Sequence, residues 1–326
     1  MIGQSAPMRQ LMSLIERVAF SDVPVLITGE SGTGKEVTAQ LIHELSSRKN
    51  GPYVAVKCAA IPETLIESHL FGHEKGAFTG ADRRQQGFFE SANGGTILLD
   101  EITEMRCETQ AKLLRVIEER KVLPVGSTKE IPINARVLAA SNRPIERAIR
   151  DGHLREDLYY RLKVCSLHLP PLRERIEDLP LLVDDFVRRT NEEHGRQITG
   201  IDDACLTALA GYWWPGNIRE LKHAIEHAVI FSESTRLAVS DLPTEIEATN
   251  QPDSSFTVHL GCSVREVVDE LIWRTIAYAD GNKSRAAKVL GVGRRTLYGR
   301  LERYDGYEMT GRVHGRPYRN GRNGLT

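Results

Sequence analysis

Two short segments carry residues whose types and spacing fit work on a phosphate anhydride. The first is Gly29-Glu30-Ser31-Gly32-Thr33-Gly34-Lys35-Glu36, a Gly-x-x-x-x-Gly-Lys run set between an apolar strand-like stretch and a helical one. Backbone N–H groups at a helix start bind phosphate oxygens, so Gly29, Gly32 and Gly34 stand where side chains would obstruct. Lys35 supplies charge for the terminal phosphates. Glu36 stands where a Ser or Thr hydroxyl commonly meets Mg²⁺, a departure from the simplest form of the motif. The second segment, "GTILLDE", is an apolar strand that delivers Asp100 and Glu101 to a sheet edge. Asp100 would hold the magnesium and its water shell, and Glu101 would polarise the water that attacks a γ-phosphate. The pair predicts hydrolysis rather than binding alone, with ATP and Mg²⁺ as ligands.

Those groups need a rigid frame. Met8, Leu11, Met12, Leu14, Ile15 and Val18 recur at helical spacing, and "VPVLITGE" follows as a buried strand ending in the glycine loop. Apolar runs at "YVAVKCA", "GTILLD" and "ARVLAAS" alternate with helical stretches such as "ETQAKLLRVIEER", the pattern of an α/β domain with a parallel sheet over residues 1–170. Residues 171–246 read as a small helical domain. Residues 247–258 begin with the polar "EATNQPDSS" and read as a linker. Residues 259–310 read as an all-α unit, and the Gly- and Arg-rich 311–326 as a frayed basic tail.

The all-α unit has the spacing of a helix-turn-helix. Val264, Val267, Val268, Leu271, Ile272 and Ile276 form a stripe, Asp280-Gly281-Asn282 a break, "KSRAAKVL" a second helix and "GVG" a turn. The third helix begins at Arg294 and Arg295, whose side chains are placed for base edges. Thr296, Tyr298, Arg300 and Arg303 can reach bases or phosphates. The apolar first helix suits pairing with a second copy. Charge follows the same division: from residue 281 onward eleven Lys or Arg face three acids, a balance of +8, which leaves -9 for the rest. A basic module that meets a polyanion is thus joined to an acidic body.

Composition excludes other classes. No run approaches the roughly 20 apolar residues of a membrane span, and the N-terminus reads as an amphipathic helix rather than a signal peptide, which places the expected location in the cytoplasm. The five cysteines are scattered and never spaced as CxxC, so reduced thiols fit and a disulfide framework or zinc site does not.

By composition alone Gly76-Ala77-Phe78-Thr79-Gly80-Ala81 is a flexible glycine loop. Within "FGHEKGAFTGA", however, it closely resembles the sigma-54-dependent activators, the bacterial enhancer-binding proteins of the AAA+ ATPases. "IGQSAPM", "GGTILLDEI", "LREDLYYRL", "LPPLRER" and "WPGNIREL" extend the resemblance over nearly the whole chain, and "GKE" is the family's usual form. The resemblance implies an AAA+ domain with a helical lid and a Fis-type DNA-binding end. It implies that Gly76 to Ala81 touches sigma-54 RNA polymerase, and that Asn142 is the sensor-I residue. Arg155 and Arg161 would be arginine fingers inserted from a neighbour in a homo-oligomer, from dimer to hexameric ring, and Arg219 the sensor-II arginine. The expected activity is ATP-driven conversion of a closed to an open promoter complex from upstream enhancer DNA.

Two departures stand inside the best-matched part. Lys57 replaces the family's usual Asn, with Glu101 as the implied partner, and His69 replaces Glu just before the contact loop, where a satisfied local contact is expected. No receiver or sensory domain precedes the ATPase, so control would come from a separate regulatory protein, or the chain is a fragment. Two rivals remain: another AAA+ remodeller such as a protein unfoldase, and a DNA-bound regulator whose ATPase Lys57 leaves idle.

Overall fold

Short strands that send alternate residues to opposite faces organise the larger part of the chain. The computed structural model describes residues 1–244, 246, 264–278, 283–294 and 296–297. These fall into two units, Met1–Thr249 and Asn250–Thr326. In the first, the chain runs α1 (Ala6–Ala19), β1 (Val25–Thr28), α2 (Lys35–Glu44), β2 (Tyr53–Lys57), α3 (Ile66–Phe71), α4 (Phe88–Ser91), β3 (Thr96–Asp100) and α5 (Cys107–Glu119). A hairpin of β4 (Lys121–Val122) and β5 (Ile131–Pro132) leads to β6 (Arg136–Ser141), α6 (Ile145–Arg150), α7 (Glu156–Leu162) and β7 (Cys165–His168). Strands β2-β3-β6-β1-β7 make one parallel sheet, as the alternating pattern predicts.

The central strands β3, β6 and β1 are buried on both faces, which is why they are largely apolar, whereas the edge strands β2 and β7 are only partly buried. Val25 and Ile27 of β1 pack with Met8, Leu11, Ile15 and Val18 of α1 and Ile42 of α2. Leu26, between them, joins the opposite core with Leu113 of α5, Phe71 of α3 and Leu158 of α7. Each such side chain contributes about 1.5–3 kcal/mol on burial. Parallel strands ending at one edge place the residues after β1, β3 and β6 side by side, the usual position of a ligand in such sheets.

A helical layer follows: α8 (Leu179–His194), β8 (Gly200–Ile201), α9 (Asp203–Gly211), α10 (Asn217–Phe231) and β9 (Arg236–Leu237). Its core holds Leu182, Val183, Leu209, Leu221 and Ile225 around Trp214, whose indole N–H donates to the Leu209 carbonyl at 2.8 Å. Helical periodicity predicts these helices, and the structure adds the parallel pair β8–β9. Two residues per strand are too few to leave a period in the sequence. Asp178, fully buried, ties this layer to the N-terminus by accepting the Gln4 and Ser5 amides at 2.6 and 2.7 Å and the Ser5 hydroxyl at 2.7 Å.

In the second unit, α11 (Val264–Tyr278) and α12 (Lys283–Val289) share a core of Ile272, Ile276, Ala286, Ala287 and Leu297. Of the expected stripe, Ile272 and Ile276 are buried and Val268 half-buried, whereas Val264 and Leu271 are exposed. Among the described residues no helix is long and apolar enough to cross a membrane. Cys58, Cys107, Cys165 and Cys205 are free thiols, and Cys262 lies outside the described residues. The expected linker 247–258 and tail 311–326 also lie outside them.

Candidate nucleotide site and contact loop

The glycine loop leaves β1 and enters α2 as the motif requires. Gly29, Gly32 and Gly34 have φ of +150°, +77° and +102°, values that L side chains rarely adopt. At Gly32 there is a second constraint: a Cβ would lie 2.1 Å from the Gly216 carbonyl oxygen. Lys35 folds back over the loop, its Nζ donating to the Gly29 and Glu30 carbonyls at 2.8 and 2.9 Å. The Thr33 hydroxyl donates to the Glu30 carbonyl at 2.8 Å, which fixes the same turn. Burial pulls the Lys35 ammonium below its ordinary pKa, and Asp100 and Glu101 work against that shift. A buried cation facing two carboxylates is prepared for an anionic ligand that would complete its coordination.

Glu101 sits at the end of β3 with φ of +57°, a left-handed conformation costly for a non-glycine residue. Its carboxylate accepts the Asn142 amide at 3.1 Å, so the residue after β6 reaches across to the residue after β3. The Asn142 side-chain oxygen is buried and has no hydrogen-bond partner among the described residues. Beside them a cavity of about 470 Å³ is lined by Thr28, Gly29, Glu30, Asn142, Arg143, Tyr159, Lys163 and His168, among others.

Lys57 does not take the partner expected for it. Its Nζ pairs with Glu36 at 3.4 Å, both side chains at least half exposed, while Glu101 is engaged by Asn142. Strand register explains the difference: Lys57 aligns with Asp100 on the neighbouring strand, and the backbone reverses hand at Glu101 before its side chain emerges.

From the helical layer, Arg219 at the start of α10 donates to the Ser31 hydroxyl at 3.0 Å. Arg173 forks onto both oxygens of Glu30 at 2.8 and 2.5 Å, and the Asn217 amide adds a bond at 3.1 Å. Those bonds, Arg173 first, hold the Glu30 carboxyl down at about 2. Arg175, 1% exposed, donates to the Thr33 carbonyl at 2.9 Å.

Far from this edge in sequence, Gly76 to Ala81 forms a turn closed by the Gly76 amide on the Ala81 carbonyl at 2.8 Å. Phe78, Thr79 and Gly80 are exposed at its tip and Ala81 is buried at its base. The Phe78 ring meets His73 edge-on at 4.9 Å, and the hairpin loop before β5 braces the base through Val125 and Gly126. His69 stacks on Phe88 with ring centroids 5.8 Å apart, a local contact as expected.

Comparison with known proteins agrees with this fold. Residues 1–168 match the model of the sigma-54 interaction domain, 173–258 an AAA+ ATPase lid domain, and 263–304 the Fis family of bacterial regulatory proteins. The chain is 43% identical over 318 residues to the transcriptional regulatory protein FlbD of Caulobacter vibrioides, covering 93% of this chain and 70% of FlbD. It is 44% identical over 306 residues to ZraR of Salmonella typhimurium, covering 93% of this chain and 68% of ZraR. The crystal structure of NtrX from Brucella abortus in complex with ATP superposes with a TM-score of 0.72 at 34% identity, covering 94% of this chain and 69% of NtrX. The chain belongs to the sigma-54 activators. It is a transcription regulator built on an AAA+ nucleotide-binding ATPase fold with a Fis-type DNA-binding end.

In this activator the two arginines of "LREDLYYRL" are far from equivalent. Arg155 caps α7 and forks onto Asp157 at 3.0 and 2.6 Å. Arg161, in the last turn of α7, is exposed, with no ion pair among the described residues. Among the described residues neither makes a hydrogen bond or ion pair with the glycine loop of its own chain. At the DNA-binding end, Gly291 has φ of +65° and the Val292 amide bonds the Ala287 carbonyl at 3.0 Å, which makes the turn. A helical turn then begins at Arg294, with the Leu297 amide on the Gly293 carbonyl at 3.1 Å. Arg294 and Thr296 are exposed there, and Arg295, Tyr298, Arg300 and Arg303 lie outside the described residues.

Sequence reasoning missed Arg173, Arg175 and Asn217. All three lie in the quoted segments "LPPLRER" and "WPGNIREL", but nothing local in those segments points to a partner more than 140 positions away.

Proposed function

We propose that this activator hydrolyses ATP at the edge formed by Lys35, Asp100, Glu101 and Asn142, and spends the energy on opening a sigma-54 promoter complex through Gly76 to Ala81. The supporting observation is the convergence, at three strand ends, of a buried ammonium, two carboxylates and an amide that orients one of them. Glu101, held by Asn142, takes the proton of the attacking water, and Lys35 draws the leaving charge. Magnesium fits the donor set. Among the described residues no three-ligand cluster assembles, and this ion prefers one carboxylate, here Asp100, with phosphate oxygens and water. When bound it would neutralise charge on the phosphates.

Arg155 and Arg161 point this reading to a homo-oligomer, from dimer to hexameric ring, in which a guanidinium from one subunit reaches the γ-phosphate of the next. Arg219 senses the phosphates from the lid. Upstream DNA is read by Arg294, Arg295, Thr296, Tyr298, Arg300 and Arg303, sigma-54 RNA polymerase is the substrate of remodelling, and the protein works in the cytoplasm. The alternative is a DNA-bound regulator whose ATPase Lys57 leaves idle; the pairing of Lys57 with Glu36 rather than Glu101 favours the hydrolytic reading.

The deciding experiment mixes purified protein, sigma-54 polymerase, a sigma-54 promoter and ATP, and follows open-complex formation for wild type, Thr79→Ala and Glu101→Gln. ATP-dependent opening lost in both variants supports the reading. Wild-type turnover without opening would overturn the coupling, and no turnover would overturn the enzyme.

A further inference from the structure

Glu30 belongs to the phosphate loop by position and to the lid by contact. Its backbone carbonyl receives Lys35 Nζ and the Thr33 hydroxyl, so it lies in the inner turn that shapes the loop. Its carboxylate is held by the forked Arg173 pair and the Asn217 amide. Arg173 is in turn covered by Trp213, with the guanidinium carbon 4.9 Å from the ring centroid. Asn217 is fully buried at φ of +54°, its side-chain carbonyl accepting the Leu172 amide at 2.8 Å and its NH₂ shared between Glu30 and the Ser31 carbonyl. One position on, the Ile218 amide donates to the Gly32 carbonyl at 3.1 Å.

Three successive loop residues, Glu30, Ser31 and Gly32, are thus fastened to the start of α10 and to the segment before α8. The Arg173 and Glu30 side chains are 25% and 43% exposed, so this ion pair adds little to global stability. Its forked geometry instead fixes orientation. We propose that Glu30 is a positioning residue that clamps the phosphate loop to the lid through Arg173 and Asn217, so that lid docking and diphosphate binding are one event. The proposal rests on the reading of this loop as the nucleotide site.

The test uses the full chain with ADP as the probe. Calorimetry gives the ADP affinity of wild type, Glu30→Gln, Arg173→Gln and the double variant. Trp213 emission is isolated by difference from Trp213→Phe. Each single variant should bind ADP about fivefold more weakly, and the double no more weakly than either single, because one clamp is lost in all three. The ADP-induced change in Trp213 emission should vanish in Glu30→Gln, a readout that a merely structural role would not move. Unchanged affinity, additive losses, or a Trp213 response that persists in Glu30→Gln or is missing from wild type would overturn the clamp. Should Glu30→Gln not fold, the affinity of Arg173→Gln alone decides. Lys35→Ala separates the two levels: if it binds ADP normally the nucleotide site itself is wrong, and if it abolishes binding while Glu30→Gln and Arg173→Gln do not weaken it, only the clamp is.

Discussion

The chain has two glycine loops, Gly29 to Glu36 and Gly76 to Ala81, and their surroundings make them opposite devices. The first is enclosed: a neighbouring carbonyl sits where a Gly32 side chain would go, Lys35 is 8% exposed, and the lid grips Glu30, Ser31 and Gly32. The second has Gly76 and Gly80 at φ of +80° and +101° with nothing within 4 Å of either added Cβ. Phosphate must be met by donors already in place, which requires rigid walls. The exposed tip and braced base of the second loop are what the proposed contact with sigma-54 polymerase would need. Gly32 serves close approach as well as backbone reversal, whereas Gly76 and Gly80 serve reversal alone.

The strongest way to break this comparison is chemical. If the enclosed loop and its edge form a hydrolytic site, Glu101→Gln should cut kcat by about 10³-fold, since a positioned general base contributes roughly 10²–10⁴. ADP affinity should stay within about threefold, because Glu101 meets water rather than the diphosphate. Steady-state turnover and ADP calorimetry check both halves, and equal losses in the two would put Glu101 in binding.

Next in size is the contrast between glycines. Gly32→Ala adds a Cβ against the Gly216 carbonyl at an unfavourable φ, and should destabilise the protein by about 3 kcal/mol or more while dislodging the lid. Gly80→Ala has the unfavourable φ without the clash and should cost about 1 kcal/mol. Denaturant midpoints for the two variants measure the difference directly. Similar costs would mean that backbone conformation, not enclosure, dominates both loops.

Lys35 sharpens the same point through its charge. A buried ammonium held by carbonyls costs stability that ligand affinity must offset, so Lys35→Met should lose ADP binding yet raise apo stability by about 1 kcal/mol. The sign follows from its pKa, which burial places below 10.5 in the folded protein. The folded state then sheds this proton before the unfolded one does. Stability from this group rises with pH across the alkaline window up to 10.5, and Lys35→Met should remove that rise from a thermal-melt series.

The parts of this design that the sequence reveals are those written in contiguous residues. The glycine loop, the Asp100-Glu101 strand end, the parallel α/β order and the start of the third DNA-binding helix all follow from local pattern and backbone demand. Arg173, Arg175, Asn217 and Asp178 do not, because each is defined by a partner more than 140 residues distant, or 45 in the case of Leu172. A polar residue's partner depends on how two separately folded layers dock, and no periodicity records that.

Lys57 shows the same limit at the smallest energetic scale. Its pairing is set by register, which brings Lys57 beside Asp100 and leaves its ammonium with Glu36 at 3.4 Å. Both side chains are at least half exposed, so the pair should contribute under about 0.5 kcal/mol, and Lys57→Ala should leave the denaturant midpoint almost unmoved. Turnover is the more informative readout. Because Asn142 already holds Glu101, Lys57→Asn should change basal and DNA-stimulated ATPase rates by less than about twofold, in line with so weak a pair. A larger change would mean that Lys57 leaves Glu36 for the carboxylates when nucleotide is present. The enclosed site would then contain a movable cation at its rim, and the contrast between a rigid loop and an exposed one would have to be redrawn within the nucleotide site itself.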